Sequence, residues 1–161
     1  MAELFHAHLM FPRGGLLITA TAKDLVEIRF TARDQRGTPV APTPVPPLMT
    51  ATLRELAEYF QHRRERFTIP ISPGGTPFQQ LVWLAARRIP FGQTATYKEL
   101  ATKLGRPGAA RAVGQALHRN PLPIIIPCHR VIGAAGQLTG FAGGLELKRF
   151  LLAHENNDVA Q

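Results

Sequence analysis

Cysteine occurs once in this chain of 161 residues, at position 128, and acidic side chains are scarce, 11 Asp and Glu against 19 Lys and Arg. A single thiol rules out an internal disulfide and a thiol-rich zinc site, and it suits a reducing compartment. No apolar run approaches the roughly 20 residues of a membrane-spanning helix. The opening residues, with Glu3, His6 and His8, do not follow the basic-then-apolar order of a secretory signal. The expectation is a soluble cytoplasmic protein with no membrane contact. No internal repeat is present, and a chain of this length buries one good core or two small lobes.

What is abundant is positive charge, and it is unevenly placed. Residues 1–74 carry nine Lys and Arg against seven Asp and Glu, while residues 75–161 carry ten against four. The net charge of +8 therefore divides as +2 and +6. A basic half of this kind attracts polyphosphate chains and gains affinity by counterion release.

Leu16 to Ala22 and Val26 to Thr31 alternate as strands and predict a hairpin turning near Lys23-Asp24. Residues 37–47 hold five prolines and a glycine, a composition for a surface connection. Thr50 to about Arg64 has helical spacing, with Leu53, Leu56, Ala57 and Phe60 inward and Arg54, Glu55, Glu58 and Gln61 outward. Ser72-Pro73-Gly74-Gly75 breaks the chain. Thr76 then caps a helix with Pro77 at its first position, running to Arg88 and ended by Pro90 and Gly92. The expected organisation is an N-terminal α/β lobe over residues 1–70, a linker over 71–77, and a C-terminal domain over 78–161.

Thr96 to Leu104 reads as a short helix with Leu100, Ala101 and Leu104 inward. Gly105-Arg106-Pro107-Gly108 follows, and then a second helix from Ala109 to about Arg119. That is the spacing of a helix-turn-helix, or of a plain helical hairpin. In the second helix, Ala109, Ala110, Ala112 and Gly114 surround one long cation, Arg111. Small side chains let a helix backbone lie close to a phosphate-lined groove, and its N-terminal amides favour phosphate there. The same small residues also permit close helix packing.

Cys128 stands in Pro127-Cys128-His129-Arg130-Val131, after the apolar Ile124-Ile125-Ile126. An ordinary cysteine, of pKa about 8.5, is only about 3% thiolate at neutral pH. Roughly 2 kcal/mol from one cation in a partly buried site brings it to half ionisation. The neighbouring imidazole and guanidinium predict such a field, so Cys128 is either an activated nucleophile or a small buried hydrophobe.

From Thr76 to Glu155 the chain resembles the O6-alkylguanine-DNA alkyltransferases, the methylated-DNA–protein-cysteine methyltransferases. The resemblance lies in Thr76-Pro77-Phe78-Gln79, Ile89-Pro90-Phe91-Gly92, Thr96-Tyr97, Ala110-Arg111-Ala112-Val113-Gly114 and Asn120-Pro121. It continues in Ile126-Pro127-Cys128-His129-Arg130-Val131, Gly143-Gly144 and Leu151-Leu152-Ala153-His154-Glu155. It implies an α+β fold: a small antiparallel sheet with one helix, ribonuclease H-like, followed by a mainly helical lobe with a winged helix-turn-helix. It implies direct-reversal repair, in which Cys128 takes the alkyl group of O6-alkylguanine once and irreversibly after the nucleotide is flipped, and it leaves activity on O4-alkylthymine, a candidate secondary substrate, open.

By the same resemblance His129 removes the thiol proton through a water, Glu155 orients His129, Asn120 ties the recognition helix to the nucleophile segment, and Tyr97 donates a hydrogen bond as guanine leaves. Arg111 fills the vacated stack, with Ala110, Ala112, Gly114, Thr96 and Arg130 on the DNA. Leu117, Pro123, Val131, Phe141, Ala142 and Gly143 line the lesion pocket. His154 is expected to face solvent. The implied partner is double-stranded DNA containing alkylated guanine, bound by a nucleoid-associated monomer without cofactor or metal.

Three positions depart from better-known members. Phe141 replaces a frequent tyrosine, Ala142 replaces a serine, and Thr139 stands where some carry glycine, which narrows the pocket. A cysteine hydrolase and a non-catalytic DNA-binding regulator are the competing classes. The first turns over through a thioester, and the second binds duplex and transfers nothing.

Overall fold

The computed structural model describes residues 1–32, 44–141 and 143–156. Most of the proline-rich connection, and Ala142 of the expected pocket, lie outside them. The chain divides into two compact units, Met1–Gly74 and Gly75–Gln161.

In the first unit β1 (Phe5–Phe11), β2 (Gly14–Ala20) and β3 (Leu25–Thr31) form an antiparallel sheet in the order β1-β2-β3. The predicted hairpin is β2–β3. Its turn is held by the Thr21 hydroxyl, which accepts from the amides of Lys23 and Asp24 at 3.1 and 3.0 Å. The first strand escaped the sequence reading. Its inward Ala7 and Phe11 alternate with His6 and Met10, and an apolar Met10 on the outside weakens the period-two contrast.

Leu16, Ile18 and Leu25 of the sheet are fully buried, as are Met49, Leu56 and Tyr59 of α1 (Pro47–Phe60). Pro47 opens that helix at a position that needs no amide donor. The buried face differs from the predicted one, because Glu55 points inward. It stays inside because Thr68 saturates it, donating from its amide at 2.8 Å and its hydroxyl at 2.6 Å. Residues 71 and 72, expected in the linker, belong to this unit: Ile71 bridges Leu25, and the Ser72 amide donates to the Leu25 carbonyl at 2.8 Å.

The second unit is mainly helical. Thr76 and Gln79 form a reciprocal cap on α2 (Pro77–Arg87), and Thr96 and Glu99 form the same cap on α3 (Tyr97–Lys103). A turn through Gly105, at φ +73°, leads into α4 (Ala110–His118). The Trp83 indole donates to the Ala116 carbonyl at 2.8 Å and fixes α2 against α4. A two-rung parallel pair, β4 (Ala95–Thr96) with β5 (Val131–Ile132), and the closing helix α5 (Leu145–Glu155) complete the unit. No helix among the described residues is long and apolar enough to cross a membrane.

Candidate active site and nucleic-acid interface

Asn120 follows α4 and organises the crossover to the cysteine. Its amide donates to the Ile126 carbonyl at 2.8 Å, and its Oδ1 accepts from the Leu122 amide at 2.8 Å. These bonds, with full burial, hold Ile124 at φ +77°, a conformation that a β-branched residue rarely adopts. The turn delivers Cys128 to the start of a 3-10 segment, Cys128–Arg130. Cys128, His129 and Arg130 thus share one tight turn.

All three residues of that turn are buried, and they meet the end of α5. His129 Nε2 lies 2.6 Å from Glu155 Oε2. Arg130 grips the same carboxylate from Nε at 2.7 Å and Nη2 at 3.1 Å, and donates from Nη1 to the Ile89 carbonyl at 2.7 Å. The expected DNA contact of Arg130 is corrected by this geometry: its guanidinium is an internal clamp, committed on three nitrogens and held 5.8 Å from the Phe91 ring centroid. His154 is also buried, not solvent-facing. The backbone at Gly92 covers the last turn of α5 so closely that a Cβ there would lie 3.3 Å from the Glu155 carbonyl oxygen.

Burial pushes the Glu155 carboxyl up, but His129 and Arg130 together overcome it and hold the group well below the usual carboxylate range. Burial also pushes the His129 ring down, against the opposing pull of Glu155. The consistent state is a carboxylate held by Arg130 and a neutral imidazole donating from Nε2. Nδ1 is then left with a free lone pair, and it is the one buried side-chain polar atom without a protein partner among the described residues. The Cys128 thiol is raised by burial, opposed by Asn120 and Lys148. The expected lowering by its neighbours in sequence is outweighed by that burial, and the Arg130 guanidinium is spent on Glu155. Such a thiol needs a base, and the ring is tautomerically set to be one.

On the outer side, a cavity of about 750 Å³ has walls from Tyr97, Ala110, Arg111, Gly114, Thr139 and Gly140. Gln115, His118 and Arg119 extend it along α4. Arg111 and Ala112 are exposed on the first turn of that helix, while Thr96 spends its hydroxyl on the α3 cap. Leu117, Pro123, Val131 and Phe141 are buried, and Gly143 is half-exposed. None of these five is on the cavity wall.

Two family models match the chain: the 6-O-methylguanine DNA methyltransferase ribonuclease-like domain over residues 4–73, and the DNA-binding domain of the same name over residues 77–157. The chain belongs to this family. It is 54% identical over 106 residues to a methylated-DNA–protein-cysteine methyltransferase of Methanosarcina barkeri, covering 66% of this chain and 67% of that one. It is 41% identical over 146 residues to the methyltransferase of that name from Mycobacterium tuberculosis, covering 91% and 88%. The crystal structure of Mycobacterium tuberculosis OGT in complex with DNA superposes with a TM-score of 0.84 at 39% identity, covering 95% of this chain and 93% of that one.

One residue of this family member escaped the sequence reading. Lys148 is fully buried, donating to the carbonyls of Val131 at 2.7 Å and Thr139 at 2.9 Å. Burial pushes its ammonium down, and the nearby Cys128 acts in the opposite direction. A signal existed: Lys148, Leu151 and Glu155 are spaced i, i+3, i+7 and share one helix face. Among the described residues no group of three or more His, Cys, Asp or Glu side chains is placed to hold a metal ion.

Proposed function

We propose that this protein repairs DNA by moving the methyl group of O6-methylguanine onto its own Cys128. The observation that carries this reading is the buried His129, held by a Glu155 that Arg130 fixes in turn, with Nδ1 uncommitted one residue from the only thiol. The relatives named as methylated-DNA–protein-cysteine methyltransferases, and the DNA complex of one of them, support the same substrate.

A guanine within a duplex is out of reach, so the nucleotide rotates outward at a cost of a few kcal/mol. Arg111, exposed at the start of α4, occupies the vacated stack. His129 takes the thiol proton on Nδ1 through a water, and the resulting imidazolium is stabilised by Glu155. The sulfur attacks the methyl carbon in line as the bond from that carbon to O6 breaks. The departing guanine carries the negative charge, and the Tyr97 hydroxyl donates a hydrogen bond to it. The product is a thioether, which water does not cleave, so each chain acts once. O4-methylthymine presents the same kind of methyl ether and is a second substrate.

The test is to incubate the protein with duplexes labelled on the methyl group of either base and count label per chain. An endpoint near one, lost in Cys128→Ala, is expected. Continued turnover would indicate a hydrolase, and duplex binding without label a regulator.

A further inference from the structure

Thr139 reaches Tyr97 across 42 positions of sequence and makes two contacts with it. Its Oγ1 donates to the Tyr97 hydroxyl oxygen at 2.9 Å, and its carbonyl accepts from that hydroxyl at 3.2 Å. The same carbonyl accepts from Lys148 Nζ at 2.9 Å. Both residues stand on the cavity wall with Arg111. We propose that Thr139 is a positioning residue for the Tyr97 hydroxyl, an inference that rests on the methyl-transfer reading above.

A phenol has one proton and two lone pairs, and their allocation decides what it can do. At 3.2 Å the bond from Tyr97 to the Thr139 carbonyl is longer than the usual range for two oxygens, so the proton is weakly held. Redirecting that proton into the cavity leaves the carbonyl satisfied, because Lys148 still donates to it. The bond from the Thr139 hydroxyl survives the change. It fixes the phenol oxygen in place and, by pulling electron density from it, makes the remaining O–H a better donor. The Lys148 ammonium lies 5.9 Å from the Tyr97 ring centroid and ties the Thr139 carbonyl to the same wall. The ring itself is placed from behind by the first turn of α3 and by Gly114, where a Cβ would lie 3.6 Å from it. Thr139 thus supplies the part of the positioning that the helices do not, the direction of the proton.

The alternative is that Thr139 merely anchors its loop. A double-mutant cycle separates the two, using the full chain, single-turnover methyl transfer from an O6-methylguanine duplex, and duplex affinity as a control. Thr139→Val keeps the shape and the carbonyl and removes the hydroxyl; transfer should slow about three- to tenfold, as loss of one hydrogen bond allows. Thr139→Ser should restore the rate to within about twofold, since it returns the donor. In a Tyr97→Phe background Thr139→Val should have no further effect, and duplex affinity should not move in any variant. A wild-type rate for Thr139→Val, failure of serine to rescue, or equal slowing in both backgrounds would each overturn the inference. Absence of label on Cys128 in the unaltered protein would instead remove the proposed function, and this inference with it.

Discussion

The two units handle buried charge in opposite ways. In the first, the charged side chain buried among the described residues is Glu55, and its partners are Thr68, 13 positions along the chain, and an Arg64 that reaches in from the surface at 3.5 Å. In the second, His129, Arg130, Lys148 and Glu155 are all buried, the first two beside Cys128 in sequence and the last two brought to that turn by α5. Burying an ion costs several kcal/mol even after relaxation, and a pair returns this only with good geometry. A sheet-and-helix core has no need of such a cluster. The second unit carries one beside its thiol, where the proposed reaction requires a base.

The strongest challenge to this contrast is to make one change in both places. Glu155→Gln should slow methyl transfer by about a hundredfold or more, since a positioned base is worth at least that. It should also destabilise the second unit by about 3 kcal/mol, because Arg130 is left buried without a carboxylate. Glu55→Gln should lower stability by only about 1–3 kcal/mol and leave transfer untouched. Chemical unfolding and single-turnover kinetics on both variants read the difference. Equal effects on transfer would erase the distinction between the units.

Arg130 and Arg111 sharpen it next. Arg130→Met should cost about 3–5 kcal/mol of stability and leave the salt dependence of duplex binding unchanged, because the guanidinium faces inward. Arg111→Ala should leave stability nearly intact, and slow repair more than it weakens binding, since its proposed place is in the base stack. Thermal unfolding and salt titrations of duplex affinity check both. A shallower salt slope in Arg130→Met would restore that residue to the DNA surface.

Acid should weaken the second unit in two stages. The folded His129 ring is held below its ordinary value of 6.5, so an unfolded chain takes up that proton first, and stability declines as pH falls below about 6.5. The folded Glu155 is depressed below its ordinary 4.5, so its contribution is complete above that value and is lost on further acidification. Trp83 is the only tryptophan and lies in the second unit, so its fluorescence in urea titrations at successive pH values follows the loss. Flat stability between pH 7 and 5 would contradict a neutral buried imidazole. Lys148→Met removes a donor from the Val131 and Thr139 carbonyls and should cost about 1–3 kcal/mol by unfolding.

Local chemistry was legible wherever neighbours in sequence are also the interacting partners. The caps of α2 and α3 are written in Thr76 with Gln79 and Thr96 with Glu99, and the turn between α3 and α4 in Gly105. The lone cysteine, its adjacent histidine and the ordered motifs around them named the family. Direction was not legible. Glu55, Arg130, His154 and Lys148 are charged or polar residues that composition assigns to the surface, and each is turned inward by a partner or a covering segment distant in sequence. Arg130 and Glu155 stand 25 positions apart, and Tyr97 and Thr139 stand 42. Sequence alone therefore determined which helices form and which single thiol is available to the proposed reaction, because those depend on bonds spanning three or four residues and on a residue type that occurs once. Only the tertiary structure decided which charges are buried, which nitrogen of His129 is free and where the Tyr97 proton points, because each is set by a contact between segments that meet only when the chain is folded.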